Sequence, residues 1–149
     1  MDIQGYDIDG DVVRAARENA KEAGVDHLIH FQERAVKDLR HPKKYGFIIT
    51  NPPYGERLEE KENLPGLYRE FGDSFRNLDS WSAYMITSYE DTEKYFGRKA
   101  DKNRKIYNGM LKTYFLSNFW DRNHQNRRNK GGNRIWNQRL YLQQVMRIK

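Results

Sequence analysis

Apolar residues fall into two kinds of pattern along the chain. Short runs rich in apolar and β-branched residues occupy positions 3–8, 27–31, 45–50 and 81–87, and each run is predicted to form a β-strand. The third run, YGFIIT, is apolar at nearly every position. Because a strand that is apolar on both faces must be covered on both faces, this run is expected at the centre of a sheet.

Between these runs, apolar residues recur at helical spacing. After an acidic turn at residues 9–11, which supplies N-cap chemistry, residues 12–23 present one apolar and one charged face, and Gly24 suits a left-handed C-cap. Further helices are predicted over 64–78 and 90–96. Strands that alternate with helices in this way predict a mostly parallel α/β sheet.

Two further strands are predicted beyond the last helix, over 105–107 and 110–115. They flank Asn108 and Gly109, a pair that favours a two-residue hairpin turn because both of its central positions take positive φ. The sheet is therefore expected to end in an antiparallel hairpin at its edge.

Composition narrows the class of protein. The length of 149 residues fits one domain, and the absence of cysteine excludes disulfides, thiolate zinc sites and a cysteine nucleophile. The N-terminal residues lack a signal-peptide pattern, and no run approaches the roughly 18 apolar residues of a membrane helix. The four histidines (His27, His30, His41 and His124) lack metal-ligand spacing. We therefore expect a cytoplasmic protein without a metal site.

Positive charge is concentrated near the C-terminus. The chain has 27 basic and 21 acidic residues, yet residues 117–149 hold eight of the basic residues and only one of the acidic ones. Residues 118–139 also lose the apolar periodicity, so weak order is predicted there. A basic segment with interspersed Trp can be an RNA-binding arm, and it can equally be a solvated segment or unrelated appended sequence.

Two aspartates lie at or beyond the carboxyl ends of predicted strands. Asp7 lies at the end of the first strand, and ligands of open α/β sheets bind beyond the carboxyl ends of the strands, where a carboxylate can accept both hydroxyls of a ribose. The alternative is that Asp7 only helps to cap the next helix. Asp38 follows the second strand, where it could bind an adenine amino group or be an ordinary turn residue.

The string Asn51-Pro52-Pro53-Tyr54 directly follows the apolar run 45–50. The two prolines remove two backbone donors and fix φ, so the strand must end and the Pro52 carbonyl is left to accept a hydrogen bond. With the Asn51 side-chain oxygen it offers two acceptors, which suit the two hydrogens of an exocyclic amine, and Tyr54 can stack on the attached base. A tight turn that simply ends the strand is the alternative.

These strings resemble a known family. NPPY at this position resembles motif IV of the class I S-adenosylmethionine-dependent methyltransferases that modify exocyclic amines. NPPYGERL, with GYDID upstream and RKIYNG downstream, is similar to the catalytic domain of bacterial 23S rRNA guanine-N2 methyltransferases, a family also called N6-adenine-specific DNA methylases or THUMP-associated RNA methylases. The resemblance covers about residues 3–115. It implies S-adenosylmethionine as the cofactor and ribosomal RNA as a partner.

The resemblance also implies roles for the cofactor-binding residues. Asp7 is expected to hold the ribose, with Ile8 packing near the adenine. Asp38 is expected to hold the adenine amino group. Asn51 lies where the cofactor and the target meet.

For the catalytic residues, the resemblance implies that Asn51 and the Pro52 carbonyl accept from the target amine. Pro53 completes the corner, which is the name used here for residues 51–54. Tyr54 is expected to stack on the base. The reaction is an in-line methyl transfer from a sulfonium to an amine, in which catalysis comes mostly from positioning and electrostatics and no metal is required.

The chain departs from the family pattern at both ends. A Gly-rich string of the type DPFCGSGT is absent, and the sequence begins at what resembles the second strand. We therefore expect residues 1–116 to be a partial methyltransferase catalytic domain. Its fold is expected to be a Rossmann-like, mostly parallel sheet with a C-terminal antiparallel hairpin, lacking the first strand and the Gly-rich loop. Residues 117–149 are expected to be a basic, poorly ordered or atypical tail.

Several functional alternatives follow. The favoured function is methylation of guanine N2 in 23S rRNA, by a truncated chain whose own activity is open, with a missing N-terminal half or a partner chain completing the sheet. Methylation of adenine N6 in DNA is the enzymatic rival, because NPPY presents the same acceptors to either amine. A noncatalytic RNA-binding remnant that uses the tail is the rival from another class.

Overall fold

The computed structural model describes residues 2–55, 58–108, 111–117 and 145–146. Helices and strands alternate over most of this range. In chain order the elements are β1 (Ile3–Asp7), α1 (Gly10–Glu22), β2 (Ile29–Glu33), β3 (Gly46–Thr50), α2 (Leu58–Arg76), β4 (Trp81–Thr87), α3 (Thr92–Phe96), β5 (Lys102–Asn108), β6 (Leu111–Ser117) and β7 (Val145–Met146). Two 3-10 helices span Asp26–Leu28 and Val36–Asp38.

The strands of the described residues form one sheet in the order β2-β1-β7-β3-β4-β6-β5. β1 is parallel to β2 and β7, and β3 is parallel to β7 and β4. β6 runs antiparallel to both β4 and β5, which leaves β5 at the edge. The prediction of a mostly parallel α/β sheet that ends in an antiparallel hairpin is confirmed, and so is the central place of β3.

The position between β1 and β3 is taken by a strand from the far end of the chain. β7 pairs with Gly5 and Tyr6 on one side and with Ile49 and Thr50 on the other. A two-residue strand therefore joins the two halves of the parallel sheet. The proposed domain boundary at residue 117 stays a prediction, because residues 118–144 and 147–149, where most of the tail lies, are outside the described residues.

Local sequence explains the first strand-helix unit. The Asp9 side chain caps α1 by accepting hydrogen bonds from the backbone N–H groups of Asp11 and Val12. At the other end, Gly24 takes a φ of 68°, as the predicted left-handed cap requires. The cap at each end fixes where the chain enters and leaves the helix.

The main core lies between the sheet and α2. Apolar residues at helical spacing on α2 pack against alternate residues of β3 and β4, as expected of an amphipathic helix on a sheet. The buried residues of this cluster on α2, β3 and β4 are Leu64, Tyr68, Phe71, Phe75, Ile48, Trp81, Ala83 and Met85.

Among the described residues, no helix combines the length and the apolar character needed to cross a membrane.

Several predicted boundaries are wrong. β2 begins at Ile29, because residues 26–28 form a 3-10 helix in which Leu28 is exposed. α2 begins at Leu58 and ends at Arg76, so Pro65 lies inside the helix. The hairpin register pairs Asn108 with Leu111, so Asn108 is a strand residue, not a turn residue. Gly109, the other predicted turn residue, lies outside the described residues.

His41 provides a prediction about stability and pH. Its side chain is buried beside the Trp81 ring, at 5.1 Å between ring centroids, and burial lowers its pKa from 6.5 although nearby Asp2 opposes the shift. A base with a lowered pKa in the folded state binds protons more tightly when unfolded. Its contribution to stability is therefore complete above about pH 6.5 and is lost as the pH falls through the lower folded-state pKa.

We expect the free energy of unfolding, measured in urea, to fall as the pH is lowered from about 7.5 to about 5. His41→Gln should remove part of this decrease. His30→Gln is the matched control, because His30 is exposed. An unchanged pH dependence in His41→Gln would show that His41 does not contribute.

Candidate active site

The register of the sheet places two predicted site residues at the same end of the sheet, where the parallel strands have their carboxyl ends. Tyr6, Met146 and Thr50 are directly paired across β1, β7 and β3. Asp7 and Asn51 each follow this row by one residue, at the carboxyl ends of β1 and β3. Because neighbouring strands lie about 4.8 Å apart, the two backbones are about 10 Å apart across the sheet. One strand, β7, therefore lies between these two residues.

Asp7 is a buried carboxylate with 5% of its surface exposed. Its Oδ1 accepts a hydrogen bond from the Asp9 N–H at 2.9 Å, and its backbone carbonyl accepts one from the Arg34 N–H at 2.8 Å. The N-cap of α1 is provided by Asp9. Asp9 is therefore the capping residue, Asp7 bonds to the backbone of that residue, and the ligand role of Asp7 stays a prediction.

The two other predicted cofactor-binding residues are accessible. Ile8 directly follows β1 and is 55% exposed. Asp38 is the exposed last residue of the 3-10 helix that follows β2. Ser74 on α2 ties that 3-10 helix to the core by donating its hydroxyl to the Lys37 carbonyl at 3.0 Å.

The corner after β3 turns from exposed to buried over a few residues. Asn51 is exposed, Pro52 is buried, and Pro53 and Tyr54 are half-buried. Gly55 ends the corner at a φ of 79°, a left-handed conformation that favours glycine. Within the described residues, no hydrogen bond engages the Asn51 side chain.

A buried tyrosine of α2 holds this corner, and the sequence pattern alone did not identify it as a site residue. The Tyr68 hydroxyl donates to the Pro53 carbonyl at 3.2 Å and lies 2.7 Å from Thr87 Oγ1. Burial raises the pKa of Tyr68 to about 12, so its hydroxyl keeps its proton at neutral pH. The available signal was a tyrosine at a core position of a helix, because a buried hydroxyl needs a polar partner.

Two further observations concern polar groups. The Thr50 hydroxyl, one residue before Asn51, is buried and has no hydrogen-bond partner among the described residues. His41 packs on Trp81, and His124 lies outside the described residues. In the described part of the chain, no group of three or more His, Asp or Glu residues could hold a metal ion.

Residues 1–116 match the family model described as UPF0020, RMKL-like, methyltransferase domain. The chain belongs to this family. The match includes Asp7, Asp38 and the whole Asn51 to Tyr54 corner.

Curated relatives carry RNA methyltransferase names. The Bacillus subtilis (strain 168) protein named "Putative RNA methyltransferase YpsC" is 46% identical over 82% of this chain and 31% of its own length. The "Ribosomal RNA large subunit methyltransferase K/L" of Cellvibrio japonicus (strain Ueda107) is 38% identical over 77% of this chain and 16% of its own length. The chain thus spans a third or less of the curated relatives it matches.

Solved structures of methylases share the fold. A "possible methylase" from Clostridium difficile 630 has 54% identity and a TM-score of 0.77, covering 81% of this chain and 32% of that protein. SMU.472, a "putative methyltransferase complexed with SAH", has 42% identity and a TM-score of 0.76, covering 82% and 32%. A "predicted N6-adenine-specific DNA methylase" from Listeria monocytogenes str. 4b F2365 has 42% identity and a TM-score of 0.71, covering 78% and 30%.

Proposed function

We propose that this chain binds the adenosine end of S-adenosylmethionine and the exocyclic amine of a nucleobase, and that it directs methyl transfer between them. The register of the sheet is the main support, because it sets Asp7 and Asn51 at one edge with a single strand position between them. Membership of a methyltransferase family and similarity to a protein complexed with SAH support the cofactor class.

The residues at the end of β1 fit an adenosine group. The Asp7 carboxylate is held by the Asp9 N–H through Oδ1, and a carboxylate has enough lone pairs to accept from two ribose hydroxyls as well. Ile8 offers exposed apolar surface for the face of the adenine. Asp38 offers an exposed acceptor for the adenine amino group.

The corner after β3 fits the target amine. The Asn51 oxygen and the Pro52 carbonyl would each accept one N–H of the amine, which leaves the nitrogen lone pair facing the methyl group. When bound, the cofactor supplies a methyl carbon made electrophilic by its sulfonium. The N–C bond forms as the C–S bond breaks, the electron pair goes to sulfur, and the amine then loses a proton to solvent.

We propose guanine N2 in 23S rRNA as the target. The relatives named for large-subunit ribosomal RNA and the strings NPPYGERL and RKIYNG support an RNA substrate. Adenine N6 in DNA is a second candidate, supported by the name of the Listeria protein. Because no Gly-rich string of the type DPFCGSGT occurs in the sequence, we propose that a partner or a further segment holds the methionine end of the cofactor.

Calorimetric titration of the full chain with S-adenosylhomocysteine tests the cofactor assignment. We expect Asp7→Asn to weaken binding by roughly 10- to 100-fold, because hydrogen bonds to a charged acceptor are worth about 1.5–3 kcal/mol. Asp91→Asn is the matched control, because Asp91 is exposed and its side chain makes no cap hydrogen bond to α3.

Binding that is unchanged in Asp7→Asn would contradict the role of Asp7. Absence of binding by the unaltered chain would contradict the cofactor proposal itself. If the chain bound RNA in a salt-sensitive manner but had no affinity for S-adenosylhomocysteine, the noncatalytic RNA-binding function would be favoured.

A further inference from the structure

Between the Asn51 α-carbon and the Tyr54 nitrogen, the sequence leaves one backbone torsion free. The rings of Pro52 and Pro53 fix φ at both positions. Asn51 and Pro52 each precede a proline, and a following proline restricts ψ to extended values. Only ψ of Pro53 is unrestricted in this way, because Tyr54 follows it. That torsion sets the direction of the Pro53 carbonyl and the direction in which the chain continues into Tyr54.

The Pro53 carbonyl is held by a chain of hydrogen bonds from the core. The Tyr68 hydroxyl has one hydrogen and donates it to Pro53, so the 2.7 Å contact with Thr87 must be a bond that Thr87 donates. Thr87 Oγ1 in turn accepts from the Tyr89 N–H at 3.1 Å. Thr87 therefore donates to Tyr68, and Tyr68 donates to the Pro53 carbonyl. The hydroxyl hydrogens of this series thus all point towards the corner.

The side chains that form this series of hydrogen bonds are buried. Tyr68 is 1% exposed and Thr87 is fully buried, and both side chains lie in the core between α2 and the sheet. The Tyr68 ring also packs against Tyr89 at 5.2 Å between ring centroids. A displaced Pro53 carbonyl would leave a buried hydroxyl without its acceptor, which is unfavourable.

We infer that Tyr68 is a positioning residue that fixes ψ of Pro53 and thereby sets the Tyr54 ring relative to the Pro52 carbonyl. In the proposed function, on which this inference rests, that geometry aligns the stacked base with the acceptors for its amine. Tyr68 does not touch the substrate and acts only through the corner.

A double-mutant cycle tests the inference in the full chain, with methyl transfer from S-adenosylmethionine to a 23S rRNA transcript as the readout. We expect Tyr68→Phe to lower kcat about 10-fold or more, because small displacements of reacting groups are costly, while affinity for S-adenosylhomocysteine is unchanged. In a Tyr54→Ala background the same substitution should change kcat by less than about twofold, because its effect passes through Tyr54. Tyr84→Phe is the control, a half-buried tyrosine of β4 that packs on Phe47 and Phe115.

The backbone order of Tyr54 gives a second readout that does not need activity. We expect the ¹⁵N order parameter of the Tyr54 amide to fall from about 0.85 towards about 0.6 in Tyr68→Phe and to stay high in Tyr84→Phe. Absence of methyl transfer by the unaltered chain would mean that the partner or segment holding the methionine end of the cofactor is needed for the reaction, and the order parameter would still decide the role of Tyr68. Equal kcat or equal order parameters for the two phenylalanine variants would overturn the inference.

Discussion

Asn51→Ala is expected to lower the rate of methyl transfer by about 100-fold or more, because it removes one of two acceptors that hold the amine in the transition state. The affinity for S-adenosylhomocysteine should change little, since Asp7 and Ile8 remain. Asn51 is exposed and makes no hydrogen bond within the described residues, so the folded state should keep its stability. Initial rates with labelled S-adenosylmethionine and a 23S rRNA transcript provide the measurement.

Asn19→Ala is the matched control, because Asn19 is an exposed asparagine on α1, away from the corner. Its rate should equal that of the unaltered chain. Full activity in Asn51→Ala would remove Asn51 from the site. Loss of cofactor affinity together with activity would instead assign Asn51 to cofactor binding, which is the second role that the family resemblance gives it.

The second large effect concerns two glycines of one helix. A Cβ placed on Gly72 of α2 would lie 2.2 Å from the backbone oxygen of Phe96, so α2 and α3 could not keep their present distance. A Cβ on Gly66 would meet no atom within 4 Å. Gly72→Ala is therefore expected to lower the free energy of unfolding by about 2–3 kcal/mol. Gly66→Ala should raise it by about 0.5–1 kcal/mol, because alanine favours the helix.

Urea denaturation of the two variants measures this difference directly, and each serves as the control for the other. Both carry the same chemical change in the same helix, so helix propensity alone predicts the same sign for both. Stabilisation of both variants would mean that α3 does not pack on α2 at Gly72. Destabilisation of both would contradict the open surroundings of Gly66.

Strands with strong local signals could be predicted well from the sequence. β4 has the predicted bounds, and β3 differs from its predicted run only at the first residue, because both are buried strands with continuous apolar runs. The start of β2 was predicted two residues too early, because His27 and Leu28 resemble strand residues but lie in a 3-10 helix. The apolar pattern could not show that Leu28 faces solvent.

Features that depend on distant parts of the chain could not be predicted. β7 is only two residues long and lies in the segment 117–149 that was expected to be a poorly ordered or atypical tail, so its place between β1 and β3 is decided by pairing across the fold. The start of α2 was missed because Pro65 lies in the helix interior, where proline removes a hydrogen bond and is uncommon.

In the candidate site, too, some features could be predicted from the sequence and others required the fold. That Asp7 and Asn51 share an edge follows from the sequence, because parallel strands end on the same side of a sheet. The part played by Tyr68 required the fold, because its contact with Pro53 joins residues that the sequence separates by most of a helix. Its pattern on α2 indicated only a core residue.

A crystal structure of the chain with S-adenosylhomocysteine tests most directly whether the edge between β1 and β3 is a methyl-transfer site. We predict the ribose hydroxyls within hydrogen-bond distance of the Asp7 carboxylate, the adenine against Ile8, and the sulfur on the side that faces Asn51. Ligand bound away from the carboxyl ends of β1 and β3, or with its ribose out of reach of Asp7, would contradict this account.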